Sequence, residues 1–65
     1  MDENQLFGYL LKEINKQREE NAMFLASGRA TGFDEYRHVC GVIRGLGFAE
    51  TLIKDLAKKM EFSDD

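Results

Sequence analysis

The sequence of 65 residues contains no proline, no tryptophan, one cysteine and one histidine. Because proline is missing, nothing in the chain forbids long helices. The single cysteine, Cys40, cannot close a disulfide within the chain, and together with His38 it cannot supply the four ligands of a zinc site. We therefore expect no metal and no cofactor, and we expect partner chains to supply the extra stability that a small domain needs.

Long apolar runs are also missing. The longest has five residues, Ala22 to Ala26, whereas a membrane-spanning helix needs roughly 20. The first residues, Met1-Asp2-Glu3, lack the basic and apolar regions of a signal peptide. A free thiol without an export signal predicts a protein of a reducing cytoplasm that does not enter a membrane.

The length and the composition limit what the chain can form. Hydrophobic residues make up 43% and charged residues 32%, which is typical of a folded chain and not of a disordered one. A domain of this size hides only about 60% of the surface of its unfolded chain, so a second domain and a deep, enclosed active site are excluded. The net charge of −3 argues against nonspecific binding to nucleic acid.

Two segments without strong helix breakers flank a short stretch that contains Gly28 and Gly32. We predict one all-α domain over 1–65, an antiparallel hairpin of two long helices at about 2–26 and about 34–61, joined by a turn at about 27–33. Gly28 suits a left-handed helix C-cap. Asp34 is the predicted N-cap of the second helix, with Phe33 before it as a hydrophobic staple.

The second helix carries a complete heptad pattern of apolar residues, typical of a coiled-coil seam. Its members are Val39, Val42, Leu46, Ala49, Ile53, Leu56 and Met60. The first helix is less regular, because residues 15–21 contain no apolar side chain. Continuing its heptad places Gln17 and Asn21 on the seam, where they either set the register of a bundle as buried polar residues or face water where the hairpin is thin.

Three glycines lie inside the second helix, where each costs about 1 kcal/mol relative to alanine. Folding the chain about residue 30 places the polar stretch of the first helix opposite Gly41 and Gly45. Small residues four apart allow another backbone to approach closely. That backbone is either the chain's own first helix or a second chain, and the neighbouring Phe48 favours the second chain. The predicted partner-binding residues are Cys40, Gly41, Gly45 and Phe48, with Tyr36 and Arg37 supporting the turn end of the hairpin.

No arrangement of residues predicts catalysis, so we expect a protein that is not an enzyme. His38 and Cys40 point about 200° apart on a helix and cannot form a simple dyad. The adjacent carboxylates Glu19-Glu20 and Asp64-Asp65 are expected to be solvated. Basic residues nonetheless concentrate towards the turn, and Arg29, Arg37 and Arg44 leave nucleic acid as a less favoured partner.

The segment from Phe33 to Leu46 resembles one found in small helical proteins encoded by tailed bacteriophages. Its shared features are Tyr36-Arg37 followed by Gly41-Val42-Ile43-Arg44-Gly45-Leu46, a Gly-x-Ile-x-Gly-Leu pattern, and then an amphipathic helix. The resemblance covers roughly residues 22–60 and implies a virus-encoded small helical protein, often encoded among virion or DNA-packaging genes. It transfers no catalytic residues.

These observations lead to three functional hypotheses. The first is a non-enzymatic bacteriophage module that binds proteins, itself or a larger viral or host protein, as a virion or head-assembly component. The second is a small phage modulator that binds and inhibits a host enzyme. The third is a nucleic-acid-binding helical hairpin. The expected location is the host cytoplasm, with incorporation into the virion under the first hypothesis.

Overall fold

The computed structural model describes residues 2–62, and the side chains of residues 2–60. It contains two helices, α1 (Glu3–Ala26) and α2 (Phe33–Phe62), which pack against each other as a rod of 52 × 18 × 13 Å. The predicted all-α helical hairpin is therefore confirmed. The carboxylates of Glu61, Asp64 and Asp65 lie outside the described side chains.

α1 begins with a capping box. The Asp2 carboxylate accepts a hydrogen bond of 2.8 Å from the backbone N–H of Gln5, and the Gln5 side chain accepts one of 3.1 Å from the backbone N–H of Asp2. Two of the N–H groups that a helix start leaves unpaired are thereby satisfied. These short-range bonds determine where the helix begins.

α1 ends in a Schellman motif at Gly28, whose φ is +75°. The N–H of Gly28 donates to the carbonyl of Leu25, and the N–H of Arg29 donates to the carbonyl of Phe24. Glycine adopts this left-handed conformation without steric cost. The C-cap expected from the sequence is therefore found at the expected residue.

α2 begins at Phe33, one residue earlier than predicted. The prediction of Asp34 as the N-cap is wrong, because Asp34 already lies in the first turn. Glu35 makes the stabilising contacts instead: its carboxylate accepts hydrogen bonds from the backbone N–H of Thr31, at 3.1 Å, and from the Thr31 hydroxyl, at 3.5 Å. Phe33 lies inside the helix and is 70% exposed, so it does not act as a staple.

The face of α2 that packs on α1 is covered only in part. Val39, with 8% of its surface exposed, is the most deeply buried apolar residue of the described chain. Half-buried residues continue this inner face along α2: Val42, Ile43, Leu46, Ala49, Glu50, Ile53, Ala57 and Met60. Leu56, placed on the seam by the heptad pattern, is 48% exposed, and Ala57 takes the inward position. A straight α-helix drifts by about 20° per heptad, which rotates Leu56 outwards two heptads after Val42.

The polar stretch of α1 contributes one ion pair between the helices. Arg18 Nη1 lies 3.4 Å from Glu50 Oε1, and Lys54 Nζ lies 3.6 Å from the same oxygen. Gln17 is exposed, while Asn21 is half-buried and its amide donates to the Gln17 carbonyl at 2.7 Å. Because Asn21 is hydrogen-bonded within α1, neither residue needs a buried polar partner on another helix.

Candidate interaction surface

The glycines of α2 do not face α1. Gly41 and Gly45 are exposed, and a Cβ built at Gly41, Gly45 or Gly47 would meet no other atom within 4 Å. The expectation that the polar stretch of α1 lies over Gly41 and Gly45 is therefore wrong, and so is the alternative that they admit the chain's own first helix. On an α-helix Gly41 lies roughly 140° and Gly45 roughly 100° from the centre of the inner face.

Phe48 and Leu52 lie on the same side of α2 as these two glycines. Their side chains are 67% and 68% exposed. The four positions, Gly41, Gly45, Phe48 and Leu52, follow spacings of four, three and four, which is the heptad spacing of one helix face. We call this set the outer stripe. It combines two positions without side chains and two large apolar side chains.

A shallow groove of about 390 Å³ adjoins the outer stripe at its N-terminal end. Its lining residues are Tyr36, Arg37, Cys40, Gly41 and Arg44. The Tyr36 ring stacks on Phe33 with the ring centroids 6.4 Å apart, and the Arg37 guanidinium carbon lies 5.9 Å from the Phe33 ring centroid. Aromatic and cationic groups therefore border the groove on its turn side.

Tyr36 and Cys40 interact one helical turn apart. The pKa of the Tyr36 phenol is raised above its ordinary value, first by its hydrogen bond to the Cys40 side chain and then by the negative charge that Cys40 carries when ionised. The neutral phenol is thus favoured in the fold. Tyr36 remains 48% exposed.

Four of the six predicted partner-binding residues line the groove: Tyr36, Arg37, Cys40 and Gly41. The other two, Gly45 and Phe48, lie on the adjoining outer stripe. Arg44 and Leu52, which also lie on this surface, are not among the predicted partner-binding residues. For Leu52 the signal was available, because it continues the heptad spacing from Gly41, Gly45 and Phe48.

The described residues form neither a metal site nor a membrane span. No group of three or more histidine, cysteine, aspartate or glutamate side chains there could hold a metal ion. Neither helix has, in its described part, the length and apolar character needed to cross a membrane.

Comparison with known proteins finds no matching family model, no matching curated protein and no matching solved structure.

Proposed function

We propose that this chain is a non-enzymatic module that binds other protein chains through the outer stripe and the adjoining groove. The observation that carries the proposal is the distribution of apolar surface. Among the described residues only Val39, 8% exposed, is buried on the inner face, whereas Phe48 and Leu52 on the outer side are each about two-thirds exposed. Exposed aromatic residues beside small ones are typical anchors of protein interfaces.

The resemblance of residues 33–46 to small tailed-phage proteins supports a more specific role, as a component of the virion or of head assembly. Under this proposal the chain contributes no chemistry and acts by occupying a surface of a larger assembly. Its location would then be the host cytoplasm and, after assembly, the particle.

Native mass spectrometry of the chain recovered from producing cells tests this proposal. We expect a complex with a defined protein stoichiometry that is lost in Phe48→Ala, and we expect the chain in purified particles. Met23→Ala is the matched control, because Met23 is 71% exposed but lies on α1. Recovery with a host enzyme, and absence from particles, would contradict the virion role and favour the enzyme modulator.

Nucleic acid is a second candidate partner, and one observation favours it: Arg37 and Arg44 line the same groove. Two guanidinium groups on one surface suit a phosphate backbone. The net charge of −3 opposes such binding. If the groove binds DNA, Arg37→Glu lowers the affinity and reduces its salt dependence, as measured by a fluorescence titration; unchanged affinity would exclude this role.

A further inference from the structure

We propose that the partner of the outer stripe is a second copy of this chain, bound with the two α2 helices antiparallel. This inference rests on the proposed function and names the partner. Three features of the described residues support it: the order of small and large residues along the stripe, the position of the charged residues beyond it, and the shortage of buried core in the single hairpin.

The order of residues along the stripe is self-complementary in one register. If a two-fold axis passes between positions 46 and 47, Gly45 lies opposite the partner's Phe48, and Gly41 lies opposite the partner's Leu52. Each exposed apolar side chain then enters a position where a Cβ would meet open space in the lone hairpin. A two-fold interface requires this kind of self-complementarity, because each patch meets its own copy.

The same register pairs opposite charges at both ends of the stripe. Asp34 lies opposite the partner's Lys59, and Arg37 lies within one position of the partner's Asp55. All four side chains are exposed, and none forms a salt bridge with another described residue. A parallel arrangement would instead place Asp34 beside the partner's Asp34 and Lys59 beside the partner's Lys59, which repels. The charges therefore select the antiparallel register.

The hairpin also has a physical reason to associate. Among the described residues no side chain is fully buried, and three large hydrophobic residues of α2, Phe48, Leu52 and Leu56, are between 48% and 68% exposed. A chain of this size seldom reaches useful stability on so small a core. Pairing along the outer stripe would arrange four helices in a row, with the two α2 helices in the middle.

Sedimentation equilibrium of the full chain measures the dimer dissociation constant and so tests whether the outer stripe is the dimer interface. We expect Gly45→Leu to raise this constant at least about tenfold, because the new side chain occupies the place of the partner's Phe48. The variant should remain helical by circular dichroism, since the added Cβ meets open space within the hairpin. Phe48→Ala should weaken dimerisation similarly. Gly8→Leu and Met23→Ala, at exposed positions on α1, are the matched controls and should leave the constant unchanged.

A charge reversal tests the register. Asp34→Lys and Lys59→Asp should each weaken the dimer, and the double variant should recover most of the loss. The two positions lie 25 residues apart on α2, roughly 37 Å along the helix, so they cannot pair within one chain. Both changes oppose the helix dipole, so recovery in the double variant cannot arise from better helix ends.

Two results would overturn the inference. One is a chain that stays monomeric over the accessible concentration range; the other is a dimer that is insensitive to Gly45→Leu and shows no recovery in the charge-reversed double variant. Neither result decides the proposed function, because a complex with a different protein would still appear in native mass spectrometry. The proposed function would be contradicted if every recovered complex remained intact in Phe48→Ala.

Discussion

At the scale of single residues, Gly28 has a role that the other glycines of the described chain do not share. It alone has a positive φ, +75°, and its N–H closes the last turn of α1. Gly8, by contrast, lies inside α1, where a Cβ would meet open space. The same substitution at these two positions should therefore have opposite effects on stability.

We predict that Gly28→Ala lowers the free energy of unfolding by about 1 kcal/mol, because alanine is strained at this φ. Gly8→Ala should raise the free energy of unfolding by up to about 1 kcal/mol, through its higher helix propensity. Urea denaturation followed by circular dichroism measures both. Equal effects of the same sign would show that the Schellman motif does not contribute to the end of α1.

Tyr36 gives a prediction about pH. Its raised pKa means that the fold favours the neutral phenol, so this contribution to stability is present below the ordinary tyrosine pKa and is lost as the pH rises through the raised value. Removing the hydrogen-bond partner with Cys40→Ala should return the Tyr36 pKa towards its ordinary value. Ultraviolet absorbance of the phenolate measures this shift, with Tyr9→Phe as the background so that one tyrosine titrates. A titration curve unchanged by Cys40→Ala would contradict the assigned cause.

At the scale of elements, the helix interface depends on which side of α2 each leucine occupies. Leu46 is half-buried on the inner face, while Leu56 is 48% exposed although the heptad pattern places both on the seam. The angular drift of a straight helix separates them. The two leucines thus offer a matched comparison within a single helix.

Leu46→Ala should lower the free energy of unfolding by about 2 kcal/mol, at the low end for a core leucine because this residue is only half-buried. Leu56→Ala should lower it by less than about 1 kcal/mol. Thermal and urea denaturation of both variants at low protein concentration give the comparison. Equal losses would indicate that α2 supercoils and keeps the strict heptad seam.

The Arg18–Glu50 pair adds specificity to the helix interface more than stability. Its N–O distance is 3.4 Å, with the two side chains 38% and 19% exposed, and partly solvated pairs of this kind contribute less than about 1 kcal/mol. Glu50 is nevertheless shared with Lys54 on the following turn. Only the Arg18 contact crosses between the helices, so it alone favours the alignment that brings Arg18 to Glu50.

At the scale of the whole molecule, α2 has apolar residues on two faces, and the chain provides one other helix to cover them. α1 covers the inner face of α2, while Phe48 and Leu52 remain open on the other side. The stability of the chain should then depend on its own concentration, because association binds the folded form and not the unfolded one.

We predict that the Tm of the wild-type chain rises with protein concentration and that the Tm of Gly45→Leu rises less over the same range. Differential scanning calorimetry over a hundredfold range of concentration measures this difference. The Gly8→Leu variant should retain the wild-type dependence. A concentration-independent wild-type Tm would indicate that the hairpin is stable alone and that its outer stripe is not covered by a second copy.

Much of the architecture could be predicted from short-range patterns. The two helices, the turn and the cap at Gly28 follow from local chemistry: glycine at a left-handed position, polar residues at a helix start and apolar residues at helical spacing. The first residue of α2 was predicted one position late, because aspartate is a favoured N-cap residue and Asp34 was assigned that role. Only the geometry shows that Glu35 binds Thr31.

The candidate site was predictable in its residue types but not in its orientation. The glycines, Phe48 and Arg37 indicated an interaction site on this part of α2. Folding the sequence about residue 30, however, predicted that the glycines lie against α1. Apolar residues occur on two sides of α2, so periodicity alone does not determine which side α1 covers. The tertiary structure decides this, because packing Val39, Leu46 and Ile53 against α1 turns Gly41 and Gly45 away from α1.

The sequence by itself thus determined the elements of this protein, because helix propensity, capping and the left-handed turn act over only a few residues. The tertiary structure decided which face of each helix is covered and which is exposed. Helix drift moved Leu56 outwards, ion pairing brought Arg18 to Glu50, and the pairing of α1 with one side of α2 left the outer stripe exposed. Those outcomes depend on contacts between residues distant in the chain, which local patterns do not specify.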